Sequence, residues 1–161
     1  MNEQERSSQY QELVASGDNY YRRGEYEQAM DEYSKAVKLR PSHFLAYYSR
    51  GMAYAGRRLY LEAIADYDTA IRLQPDDAFT YSARGNAYAS RGNINQAVGD
   101  YNQAIELRAD LAPAYLGRAL LLEQLGEKHR AILDYKRVLE LSDDVALRQL
   151  AEQQLRGYGV R

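Results

Sequence analysis

The chain has 161 residues, a formal net charge of −2 and 45% hydrophobic residues, ordinary values for one globular domain. That charge balance argues against nucleic acid as the main ligand, since phosphate backbones are held through excess Lys and Arg. Cysteine is absent, which excludes disulfides, thiolate metal sites and cysteine nucleophiles, and no apolar run approaches the roughly 20 residues of a membrane span.

Residues 1–9 are polar and read as an N-terminal extension that frays or prolongs the first helix. The acidic start, Met1-Asn2-Glu3-Gln4-Glu5, is unlike a secretory leader, so the expected address is cytoplasmic. From residue 10 onward the chain repeats itself every 34 residues. Gly17, Gly51 and Gly85 share one register, continued by Ala119. Ala29, Ala63, Ala97 and Ala131 share another, and Tyr33, Tyr67, Tyr101 and Tyr135 a third. Tyr20, Tyr54 and Tyr88 recur until Leu122; Ala36, Ala70 and Ala104 recur until Val138. The period divides the chain into repeats at 10–43, 44–77, 78–111 and 112–145.

Each repeat reads as two helices. In the second, Tyr47, Gly51 and Tyr54 fall on one face of the first helix, and Ala63, Tyr67, Ala70 and Ile71 on one face of the other. Small residues let the backbones approach, and tyrosines fill the space beside them. Composition agrees: there are 16 Tyr, 2 Phe and no Trp. Tyrosine suits a thin core, because it buries its ring and keeps its hydroxyl wet. Gly56, Gly92 and Gly126 are expected near the ends of first helices. Pro41 and Pro75 close second helices. Ser42, Asp76 or Asp77, and Asp110 are expected at helix N-caps. In 146–156, Leu147, Leu150, Ala151 and Leu155 share a face, as a helix capping the last repeat requires. Residues 157–161 read as a flexible tail.

The run Tyr47-x-x-Arg50-Gly51-x-x-Tyr54, continued by Ala63, Tyr67 and Pro75, resembles the tetratricopeptide repeat (TPR) family. The resemblance covers about residues 10–145. The fold it implies is all-α: a right-handed α-α superhelix of four helix-turn-helix repeats with a C-terminal capping helix. The function it implies is a scaffold that holds a protein or peptide partner on a concave surface lined by the first helix of each repeat.

The first helices carry a second, mostly apolar stripe at those registers. Its positions are Val14 and Tyr21 in the first repeat; Leu45, Tyr48 and Met52 in the second; Phe79, Ser82 and Asn86 in the third; and Leu116 and Leu120 in the fourth. Apolar side chains of a guest would enter it, and Asn86, both donor and acceptor, would meet the guest's backbone. The alternative is internal: part of the stripe packs between neighbouring helices. Some TPR domains clamp a chaperone's C-terminal carboxylate with Lys, Asn and Arg. At the corresponding positions this chain offers Val14, Asp18, Ser49, Phe79 and Ala83, with no cation.

Arg50, Arg84 and Arg118 recur 16 residues before Asp66, Asp100 and Asp134, and read as structural pairs between helices. His43 and His129, the two histidines, lie far apart along the array. No phosphate loop, nucleophile elbow or metal-ligand spacing occurs. The chain is therefore read as a non-enzyme with no cofactor, no metal, and neither nucleic acid nor membrane as partner. Self-association into a homodimer is the alternative to a peptide partner, and an RNA-binding helical repeat, against which the net charge weighs, is the weaker third reading.

Overall fold

The computed structural model describes residues 2–160, and among them the secondary structure is entirely helical. Four helix pairs follow the repeat: α1 (Glu3–Arg22) with α2 (Tyr26–Leu39), α3 (Phe44–Gly56) with α4 (Tyr60–Leu73), α5 (Ala78–Ser90) with α6 (Ile94–Leu107), and α7 (Ala112–Gln124) with α8 (Lys128–Leu141). A ninth helix, α9 (Val145–Gly157), follows the last pair. The chain forms two compact units where length suggested one domain, Met1–Asp76 with α1 to α4 and Asp77–Arg161 with α5 to α9. The division falls at a repeat boundary, where a chain of neighbour-packed repeats divides most readily.

The chain ends fare differently against expectation. Asn2 caps α1 by accepting from the Glu5 amide at 2.8 Å, and the Glu5 carboxylate accepts from the Asn2 amide at 2.8 Å. This reciprocal cap makes the polar segment the first turns of α1, so it prolongs the first helix and does not fray. At the other end the flexible tail is corrected: Tyr158 and Val160 pack on the core formed by α7, α8 and α9. Met1 and Arg161 lie outside the described residues.

Turn chemistry is also sharper than the sequence reading. Gly24, Gly92 and Gly126 have φ between 74° and 77°, the left-handed conformation that reverses the chain after a first helix. The residue at that register in the second repeat is Arg58, at φ 59°, and not Gly56. Gly56 instead closes α3 where a Cβ would come within 2.7 Å of the Tyr26 ring. Of the expected N-caps, Asp77 accepts from the Thr80 amide at 2.8 Å; at the start of α9, Asp144 accepts from the Leu147 amide at 2.9 Å. Ser42 and Asp110 sit one residue too early, and His43 and Leu111 occupy the caps without a side-chain bond.

The 34-residue registers become the core. Ala29, Ala63, Ala97 and Ala131 are fully buried, and Tyr33, Tyr67, Tyr101 and Tyr135 are nearly so. The glycines admit the rings: a Cβ on Gly17 would lie 2.5 Å from Tyr33, and one on Gly51 would lie 2.6 Å from Tyr67. Each Arg–Asp pair is bidentate. Arg50 reaches Asp66 at 2.7 and 2.8 Å, Arg84 reaches Asp100 at 2.8 and 2.7 Å, and Arg118 reaches Asp134 at 2.7 and 2.8 Å. The guanidinium of Arg50 stands over Tyr47 and Tyr54, and that of Arg84 over Tyr81 and Tyr88, at 5.6–5.9 Å. Charge, fork geometry and ring face thus lock first helix to second in three of the four pairs.

Candidate interaction faces

In the first unit, α3 presents Leu45, Tyr48 and Met52 at spacings of three and four, on one face. Leu45 is 42% exposed, and Tyr48 and Met52 are half-buried. The Tyr48 ring leans on Tyr67 at 6.2 Å, and on α1 Tyr21 meets Tyr26 edge-on at 5.3 Å. Val14 does not join them. It is buried with Tyr10, Ala36 and Ala46, because α1, α2 and α3 converge on it.

The second unit divides in the same way. Phe79 is 45% exposed, with the Arg108 guanidinium 5.0 Å from its ring centroid. Leu120 is half-buried and Asn86 is exposed. Ser82 and Leu116 are buried, the latter against Tyr135, Val138 and Leu155. For Val14, Ser82 and Leu116 the internal alternative therefore holds, since helix packing withdraws them from solvent. The other seven positions keep open surface.

The polar groups on these faces are set by the buried tyrosines. Tyr33 donates to Asp18 at 2.7 Å, Tyr101 to Asn86 at 2.5 Å, and Tyr135 to Glu123 at 2.5 Å. Tyr158 donates to the other oxygen of Glu123. Asn86 thus has its carbonyl oxygen occupied and its amide NH₂ directed elsewhere. Burial pushes the Tyr101 hydroxyl up to about 12, and burial followed by the Glu123 hydrogen bond raises Tyr135. Glu123 follows Leu120 at a spacing of three in α7 and is not among the stripe residues expected from the sequence. Its signal there is the departure from apolar type at the end of the helix.

An open depression of about 360 Å³ in the first unit is lined by Gln9, Leu13, Lys35, Lys38 and Leu39 and includes none of the stripe positions. His43 caps α3 with its ring 4.9 Å from Tyr10, and His129 is exposed on α8. Among the described residues no cluster of His, Asp and Glu is arranged to hold a metal ion. No helix among them is long and apolar enough to cross a membrane.

The TPR repeat family profile matches residues 17–56, 60–90 and 85–126, and a second tetratricopeptide repeat profile matches 112–145. A search of curated protein sequences gave no match. Among solved structures, MamA superposes with a TM-score of 0.77 at 27% identity, over 85% of this chain and 80% of that one. The first TPR domain of Spaghetti (RPAP3), bound to the HSP90 peptide SRMEEVD, gives 0.73 at 25% identity, over 74% and 95%. A thermophilic TPR protein of Thermus thermophilus gives 0.81 at 23% identity, over 93% and 83%, and speaks for the fold alone.

Proposed function

The chain belongs to the tetratricopeptide repeat family of all-α repeat superhelices, typically non-enzymatic protein-interaction scaffolds, and we propose that it binds a protein or peptide segment on its first-helix faces. The observation that carries this reading is the row of solvent-reachable apolar groups on α3: Leu45, Tyr48 and Met52. A soluble helix gains nothing by leaving a Leu, a Tyr and a Met together on its wet side unless something covers them. Methionine adapts to differing guests, and tyrosine contributes contact area with few rotamers to freeze. Tyr21 in the first unit, and Phe79, Asn86 and Leu120 in the second, offer the same mixture.

The guest is not a chaperone tail of the SRMEEVD kind. A carboxylate needs cations, and the corresponding positions hold a buried Val14, Ser49 and Ala83, an exposed Phe79, and Asp18 with its own negative charge. Fluorescence anisotropy with labelled SRMEEVD should show no saturable binding.

The test of the main reading uses two exposed positions that carry little core packing, Leu45→Glu in the first unit and Phe79→Glu in the second. Captured partner should cross-link through a photoreactive group at position 52 or 120. Either variant should weaken capture about tenfold or more, with an unchanged thermal melt. Undiminished capture by both folded variants would move the contact off these faces.

A further inference from the structure

The strongest unexplained group in the molecule is the carboxylate of Glu123. It is half-buried at the end of α7, one turn beyond Leu120 on the same helix face. Both of its oxygens accept phenol hydroxyls, one from Tyr135 on α8 and one from Tyr158 just after α9. Among the described residues no Lys, Arg or His forms an ion pair with the carboxylate. Four arginines of the same unit are engaged elsewhere: Arg118 with Asp134 and Asn102, Arg130 with Glu127, Arg137 with Glu140, and Arg148 with the carbonyls of Leu139 and Ser142.

A half-buried charge is costly unless it is paired. Two neutral hydroxyls orient Glu123 and soften that cost, but they leave a net negative charge beside apolar Leu120. The first unit repeats the chemistry in a weaker form. Asp18 is an exposed carboxylate on α1, held by Tyr33 and likewise without a cation among the described residues.

We propose that Glu123 is the anionic anchor for a basic segment of a protein partner, a Lys or Arg next to an aliphatic side chain that Leu120 receives. This rests on the first-helix faces being the binding surface and specifies the guest's charge. The occupant is a basic peptide segment because no cation among the described residues pairs with the carboxylate and the residue beside it is apolar. Tyr135 and Tyr158 are positioning residues: they aim the carboxylate and do not contribute charge. A partner's cation here would complete the pair that the described residues leave open, and truncating such a partly desolvated charge contact acts mainly on dissociation.

The experiment uses the full chain and two short acetylated peptides, one of alternating Leu and Lys and its Leu and Glu counterpart, titrated by calorimetry. The Leu-Lys peptide should bind and the Leu-Glu peptide should not. Glu123→Gln should weaken the Leu-Lys peptide about tenfold with the melt unchanged, because the amide keeps an acceptor for a tyrosine and loses only the charge. Tyr158→Phe should leave binding intact, since the carboxylate remains. Equal binding of the two peptides, or equal loss in Glu123→Gln and Tyr158→Phe, would overturn the assignment and make Glu123 a buckle for the C-terminal segment. If the Leu-Lys peptide fails while Leu45→Glu and Phe79→Glu still abolish partner capture, the charge assignment falls and the binding face stands. If those two variants also leave capture intact, the face itself is wrong.

Discussion

The two units use one sequence period but not one clearance. In the first unit the glycine at the helix contact has no room for a methyl group: a Cβ on Gly17 or Gly51 would lie 2.5 or 2.6 Å from a tyrosine ring. In the second unit the same register loosens to 3.1 Å at Gly85, and the fourth repeat already carries Ala119. The tight spot moves to α7, where a Cβ on Gly117 would come within 2.5 Å of Tyr101. The period therefore fixes which residue type sits at a contact. How closely the helices meet there is settled pair by pair.

The comparison can be broken most directly at the rings. Tyr67→Ala in the first unit and Tyr101→Ala in the second each empty a fully buried slot and should cost about 3–5 kcal/mol. Hydrogen exchange should show protection lost mainly within the unit that carries the change; loss spread equally over both would mean that the units do not open separately.

Alkaline titration comes next. The Tyr101 hydroxyl is raised by burial to about 12, so the folded second unit holds a proton that the unfolded chain releases near pH 10. Its contribution is complete below pH 10, declines above it and is gone by about pH 12, a loss of about 2–3 kcal/mol. Tyr33 and Tyr67 in the first unit and Tyr135 in the second are raised further, each by burial first, so both units should go on weakening as pH rises past that of Tyr101. Urea melts across that range, with the units followed separately by exchange or by site labels, should show the two declining together. A unit whose midpoint stays flat above pH 10 would remove the role given to its buried phenols.

The glycine contrast sharpens the comparison at a smaller scale. Gly51→Ala forces the Tyr67 ring to move and should destabilise by about 1–2 kcal/mol even after the helix-propensity gain. Gly85→Ala needs only a few tenths of an ångström and should stay within about 0.5 kcal/mol of neutral. Denaturant midpoints decide, and equal losses would mean that the two registers have the same clearance.

The smallest expected effect is a gain. Arg58→Gly relieves a side chain from the left-handed conformation that glycine holds in the other three turns, and should stabilise the first unit by about 0.5–1 kcal/mol. A loss would show that the Arg58 side chain contributes more than its backbone strain costs.

Most of the helical framework was legible because the period repeats residues whose roles are geometric. Alanine at 29, 63, 97 and 131 has one reason to recur, a close backbone contact, and tyrosine at 33, 67, 101 and 135 fills the space that contact leaves. The Arg–Asp pairs were legible too, because a constant spacing of 16 residues joins opposite charges across each helix turn. The turns were read in part. Gly56 ends α3 as expected, but the left-handed residue of that turn is Arg58, to which the period starting from Gly24 points. Two caps were placed one residue early: Ser42 and Asp110 share a register with Asp76, but the helix entry lies one position on, where Asp77, the other residue named for the third repeat, does cap α5.

By itself, then, the sequence determined the all-α repeat fold, the four helix pairs and the residues that close them, because those features follow from spacing and side-chain size. Only the tertiary structure decided which stripe residues stay wet. Val14, Ser82 and Leu116 share registers with their exposed neighbours, and they disappear because a third helix or a following pair covers them. It also decided the fate of the polar groups. Nothing local tells Asn86 or Glu123 that a tyrosine 15 or 12 residues downstream will take its oxygen. Those bonds depend on where a whole helix lies, and they turn an apolar stripe with a stray acid into a face with an aimed charge.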